Sequence, residues 1–208
     1  MRVLVFGDSI TQGFWDSEGG WVSRLRKAYD KVSIETDEYN EPYIFNLGVS
    51  GNTSDDLFTR FNDETKARAN DESALTFSIG VNDSRTKAGV NFSDTKHYTQ
   101  NLSELLSLAR KYSDKIIFVG LTPCVEERSN PVPWGDAGYT NSRIKEFDAS
   151  LRNFCKDNHV TFVEVFEPFY KAQNRTELLP DGLHPNNEGH QLLADLVTPV
   201  LGDVLKQA

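Results

Sequence analysis

Five short apolar runs recur along the chain, each closed by small or polar residues, and helical patterns fill the intervals. Arg2–Phe6, Tyr43–Leu47, Ala74–Ile79, Lys115–Leu121 and Val160–Phe166 have the length and side-chain character of buried strands. Trp21, Leu25, Ala28 and Tyr29 share one face at helical spacing. Asp55–Arg68 predicts a helix behind a Thr53/Ser54 cap, with two Asp residues suited to its first turn. Tyr98, Leu102, Leu105, Ala109 and Tyr112 make a stripe behind a Ser93 cap. Ile144, Phe147, Leu151 and Phe154 make another after Thr140 and Asn141. A last helix is predicted from Asn187 to Lys206, kinked or split by Pro199.

Strands alternating with helices predict an α/β protein whose parallel sheet is covered on both faces. Right-handed crossovers and five strands favour the doubly wound order 2-1-3-4-5, with its crevice at the carboxyl ends of the strands. The 208 residues fit one large domain, 1–208, without repeat or linker.

Four polar segments fall at those strand ends: GDSITQG with Ser9, NLGVSGNTS with Gly48, GVNDS with Asn82, and LLPDGLHPNNEG with Asp181 and His184. In the order 2-1-3, Ser9 is flanked by Gly48 and Asn82 on neighbouring strands about 4.8 Å apart. The connection from Glu167 to Pro180 is long enough to return His184 across the sheet.

The chemistry open to such a cluster is acyl transfer. A serine hydroxyl becomes nucleophilic when a base removes its proton, and His184 is the candidate base. Asp181, three residues earlier, is placed to fix the imidazole tautomer. The backbone N–H groups of Ser9 and Gly48 and the Asn82 amide are candidate oxyanion donors. Each segment taken alone reads as turn chemistry; four of them at strand ends in one chain do not.

Composition narrows the alternatives. With 22 Lys and Arg against 31 Asp and Glu, the formal net charge is −9, which opposes nucleic-acid binding and docking to anionic membranes. No signal-peptide or membrane-spanning pattern is visible, so a cytoplasmic location is expected. Cys124 and Cys155 form no metal or redox motif, and Cys155 is expected in the core. Sequons at Asn52, Asn82, Asn91, Asn101 and Asn174 are read as chance.

Asp8 is expected to hold the first turn through backbone N–H groups. His97 is assigned to a helix surface, His159 to a helix C-terminus and His190 to the final helix. Phe14, Trp15 and Trp134 could line an acyl or sugar pocket, and Pro123–Tyr139 is long enough for a lid or pocket wall.

At Gly7-Asp8-Ser9, Gly48 within NLGVSGN, Gly80-Val81-Asn82-Asp83 and Asp181-Gly182-Leu183-His184-Pro185, the sequence resembles the GDSL esterases and lipases, or SGNH hydrolases. The blocks occur in family order. The resemblance implies a flavodoxin-like α/β/α sandwich, ester hydrolysis through an acyl-enzyme, and no metal or organic cofactor. It implies Ser9, Asp181 and His184 as catalytic residues, and Ser9, Gly48 and Asn82 as the oxyanion hole. The Gly-x-Ser-x-Gly elbow of α/β-hydrolases is absent.

The expected substrate is a small-molecule carboxylic ester of short-acyl, aryl or acetylated-sugar type. Thioesterase or lysophospholipase activity on the same site is the nearest alternative. A metal-dependent phosphoesterase using Asp8, Asp181 and His184, or a non-catalytic carbohydrate- or lipid-binding protein, are alternatives of other classes. Oligomeric state is not readable from the sequence.

Overall fold

The computed structural model describes residues 1–36 and 42–206. In chain order the elements are β1 (Arg2–Gly7), α1 (Ser9–Gln12), α2 (Gly20–Thr36), β2 (Tyr43–Gly48), α3 (Ser54–Arg68), β3 (Ser73–Ser78), β4 (Thr86–Lys87), β5 (Val90–Asn91) and α4 (Thr95–Ala109). There follow β6 (Ile116–Val119), α5 (Glu126–Ser129), β7 (Ala137–Gly138), α6 (Asn141–Asp157), β8 (Thr161–Val163), α7 (Phe166–Lys171), α8 (Arg175–Leu178) and α9 (Asn187–Lys206).

β2, β1, β3, β6 and β8 form a parallel sheet in that order, which is the doubly wound order expected from the alternation. Val3, Leu4, Val5 and Phe6 are fully buried, because β1 lies mid-sheet with helices over both faces. β2 is an edge strand and leaves Tyr43 exposed. α2 packs on α9, whereas α3 packs on α4 and α4 on α6, giving the two helical layers. Phe6, Phe61, Phe77 and Phe118 stack through the core with neighbouring ring centroids 5.0–5.7 Å apart.

The helix starts obey their side chains. Thr53 and Asp56 form a reciprocal capping box at α3, and the Thr140 hydroxyl accepts from Arg143 N–H at α6. At α4 the cap is Asp94, one residue beyond the expected Ser93, since its carboxylate accepts the His97 N–H at 2.8 Å. α9 is not split at Pro199 and continues to Lys206. The last strand is shorter than expected: after β8 the chain turns, and Phe166 begins α7 instead of ending a strand. Cys124 and Cys155 are buried free thiols, pushed by burial up to about 11 and about 12.

Residues 123–139, expected to form a lid or pocket wall, are an organised segment. They carry α5 and β7, and β7 joins β4 and β5 in a three-stranded antiparallel sheet. Val125 N–H donates to Gly182 O at 2.8 Å and Arg128 reaches Thr176 O, which fastens the segment to the chain around Asp181. It is a fixed wall beside the sheet's carboxyl edge.

Candidate active site

β1 ends at Gly7, where an added Cβ would lie 2.0 Å from Thr11 Oγ1 and 2.5 Å from Ser78 O, so only glycine fits. The Gly7 carbonyl accepts from Val49 N–H at 3.0 Å and from the Arg60 guanidinium at 2.9 Å. Asp8 caps the single turn α1, its carboxylate accepting Ile10 N–H at 2.9 Å, which is the structural role expected of it. Burial pushes the Asp8 carboxyl up to about 6, against the opposing bond from Ile10. Ser9 therefore opens α1, and its own N–H has no intrahelical acceptor.

Ser9 Oγ lies 2.9 Å from His184 Nε2, and His184 Nδ1 lies 2.7 Å from Asp181 Oδ2. The Asp181–His184 stretch is a tight turn: Gly182 has φ +93°, and Asp181 Oδ1 accepts the N–H groups of Leu183 at 2.8 Å and His184 at 2.7 Å. Burial alone would raise the Asp181 carboxyl. The hydrogen bonds and charge of His184 and the Leu183 N–H outweigh it, so Asp181 lies below its ordinary value. An ionised Asp181 must accept, so His184 Nδ1 is the donor of that bond, and in the neutral imidazole Nε2 is the acceptor facing Ser9 Oγ.

Gly48 sits in register with Gly7 on the adjacent strand. A Cβ there would come within 2.2 Å of Gln12 N and 2.8 Å of Asp8 O, so glycine is required by the close approach of α1. Its N–H already has an acceptor: it donates to Asn46 Oδ1 at 3.0 Å. Asn82 lies on the loop leaving β3, on the other side of β1. One of its amide hydrogens goes to Asn52 O at 3.0 Å, and its Oδ1 accepts from the Tyr139 hydroxyl at 2.8 Å. The second amide hydrogen is thereby left to point elsewhere.

The loop bearing Asn82 is held by Asp83, whose carboxylate accepts the Ser54 N–H at 3.0–3.1 Å and the Ser54 hydroxyl at the start of α3. Burial pushes Asp83 up to about 6, against the Ser54 bonds. The folded protein thus binds this proton more tightly than the unfolded chain does, so stability falls as pH rises from about 4 through 6 and remains lowered above it. Asp83→Asn is expected to reduce that fall by on the order of 2 kcal/mol, read as urea midpoints at pH 4 and pH 7. Asp8 carries the same sign, so the slope shrinks without vanishing. An unchanged slope would remove Asp83 as its source.

Aromatic side chains surround His184. Phe14 lies 4.9 Å from its ring and Trp134, on the fixed wall, 5.7 Å, and both rings are about half exposed. Trp15 packs edge-on against Phe14 at 5.5 Å, and its indole N–H donates to Asp181 Oδ2 at 2.7 Å. Its backbone has φ 64°, a left-handed conformation costing about 1–2 kcal/mol for a residue with a side chain.

The other histidines lie outside the Ser9–His184–Asp181 chain. His97 is half exposed on α4, with Nε2 3.0 Å from the Asp55 carboxylate, which holds its imidazole above the ordinary value. His159 follows the C-terminus of α6. His190 is buried in α9, accepting Trp21 N–H and lying 3.0 Å from Phe14 O. Among the described residues no three His, Cys, Asp or Glu side chains are grouped to hold a metal ion, and no helix is long and apolar enough to cross a membrane.

The model of the GDSL-like Lipase/Acylhydrolase family matches residues 5–192. The chain belongs to that family. Membership places this GDSL-like protein among the carboxylic ester hydrolases. It is similar to an acetylxylan esterase of Geobacillus stearothermophilus, 26% identical over 93% of this chain and 90% of the esterase. It is also similar to an isoamyl acetate-hydrolyzing esterase of Saccharomyces cerevisiae, 24% identical over 96% of this chain and 85% of that protein. Among solved structures, the lipase/acylhydrolase from Enterococcus faecalis superposes with a TM-score of 0.76 at 21% identity, covering 100% of this chain and 99% of the other. That likeness concerns the fold, which the GDSL-like chain shares from end to end.

Sequence reasoning missed Trp15, Tyr139, Asn46 and Asp83 as supports of the site. Asn46 stands two residues before Gly48, a short-range pattern for a side chain bonding a nearby N–H. Nothing local in the sequence marks the pairing of Tyr139 with Asn82.

Proposed function

We propose that the chain, acting as a single catalytic domain, hydrolyses short-acyl carboxylic esters through an acyl-enzyme on Ser9. The observation that carries this reading is the unbroken hydrogen-bonded series from Ser9 Oγ through His184 to an ionised Asp181. His184 Nε2 takes the Ser9 proton as Oγ attacks the carbonyl carbon, and the carbonyl electron pair moves onto its oxygen. Asp181 holds the tautomer and stabilises the imidazolium. His184 then passes the proton to the leaving alcohol as the ester C–O bond breaks. Water, deprotonated by the same nitrogen, attacks the acyl carbon, and its proton returns to Ser9 as the acid departs.

The oxyanion is received by the Ser9 N–H and the free Asn82 amide hydrogen. The Gly48 N–H joins them when Asn46 Oδ1 shares or yields it. A short acyl group is favoured by the two relatives whose names specify acetyl esters, and by the flat rings of Phe14 and Trp134 beside His184, which suit an aryl or sugar leaving group.

A fluorophosphonate in the presence of EDTA is expected to leave one adduct, mapped by mass to Ser9. Nitrophenyl esters from acetate to octanoate are then expected to give the highest kcat/KM at the short end. Folded protein that resists reagent levels sufficient for ordinary serine esterases would overturn the acyl-enzyme reading. A preference for long chains would overturn the substrate class alone.

A further inference from the structure

We propose that Trp15 is a positioning residue for the reaction, its indole N–H holding the Asp181 oxygen that receives His184 Nδ1. This rests on the assignment of Ser9, His184 and Asp181 given above. The two Asp181 oxygens are held differently. Oδ1 is fixed by two N–H groups of its own turn, whereas Oδ2 accepts, among the described residues, from His184 Nδ1 and Trp15 Nε1. His184 is the group that gains and loses a proton during turnover. Trp15 is thus the donor to Oδ2 that does not take part in the proton transfers. An indole N–H only donates, so the direction of this bond is the same whatever the protonation of His184.

The placement of Trp15 is otherwise hard to account for. The residue is 58% exposed, so core burial does not explain it. Its backbone is left-handed at φ 64°, a conformation that bulky side chains avoid. That backbone is imposed from both sides. Phe14 O accepts from His190 Nε2, and the Asp16 carboxylate pairs with Arg24 while accepting the N–H groups of Glu18 and Gly20. Pinned between two anchors, residue 15 aims its side chain at Asp181, and the charge-assisted bond at 2.7 Å is what the strained conformation achieves.

A double-mutant cycle on the rate of fluorophosphonate labelling tests this. Trp15→Phe keeps an aromatic ring and removes the donor. It is expected to slow labelling about ten-fold in the wild-type background and by less than about twofold once Asp181→Ala is present. Equal slowing in both backgrounds would overturn the positioning role, since Trp15 would then act independently of the carboxylate. An Asp181→Ala protein that labels at the wild-type rate would overturn the underlying reading of Asp181 instead.

A second readout does not require the Trp15 variant to fold. In ¹H–¹⁵N spectra the Trp15 indole N–H, assigned through its own residue, is expected far downfield and to move upfield in Asp181→Ala. A resonance indifferent to that substitution would also overturn the proposal.

Discussion

Ser9→Ala is expected to lower kcat on a short aryl acetate by on the order of 10⁴-fold or more, while the unfolding midpoint moves by only a few degrees. The loss is large because the residue supplies the atom that forms the covalent intermediate, and among the described residues no other hydroxyl is hydrogen-bonded to His184 Nε2. The stability change is small because the side chain is compact, and the hydrogen bond lost is the one to His184 Nε2. An orphaned, nearly buried ring nitrogen costs about 1–2 kcal/mol, roughly 2–8 °C in a chain of this size.

His184→Ala is expected to be similarly damaging. Combining the two should cost little beyond the worse single change, because residues acting as one unit do not contribute separately. Ser9→Ala activity within tenfold of wild type would place the nucleophile elsewhere. Additive losses would mean that Ser9 and His184 act in separate steps.

What the sequence reveals of this site follows from how local each feature is. Gly7-Asp8-Ser9 and Asp181-Gly182-Leu183-His184 are turns closed by their own side chains: Asp8 accepts from Ile10, and Asp181 from Leu183 and His184. Such turns are written in consecutive residues. β1 is legible because a run of four buried apolar residues has few other uses, and the order of the sheet follows from its alternation with helices.

The supports of the site are legible to a lesser degree. Trp15 meets Asp181 across 166 residues and Tyr139 meets Asn82 across 57. The two-residue strands β4, β5 and β7 are too short for any period to register. Glycine at position 48 is readable in the sequence, but its cause is not. An absent side chain next to a reacting carbonyl and one excluded by a neighbouring backbone look the same in one dimension.

That distinction carries the second large effect. Gly48→Ala is expected to reduce kcat by about 10²–10³-fold and also to destabilise the protein. The new Cβ would fall 2.2 Å from Gln12 N, 2.7 Å from Thr11 C and 2.8 Å from Asp8 O. All three are backbone atoms of α1 and its Asp8 cap, so relief requires moving β2 away from α1 or moving α1 itself. Either displaces Ser9 from His184 or the Gly48 N–H from the reacting carbonyl, and misplacement by about 1 Å costs about 10² in rate.

Gly51 is the matched control. Unlike Gly48, it has a left-handed backbone, at φ +81°, but an added Cβ there meets nothing within 4 Å. Gly51→Ala therefore carries only the backbone penalty of about 1–2 kcal/mol, and its kcat on the same ester is expected within a few-fold of wild type. If Gly48→Ala retained near wild-type kcat, the strand end would absorb the methyl group without moving Ser9 or the N–H of residue 48, and the close approach of α1 would not constrain the reaction. If it lost activity with Ser9 still labelling at the normal rate, the defect would lie after acylation, in the attack of water on the acyl-enzyme.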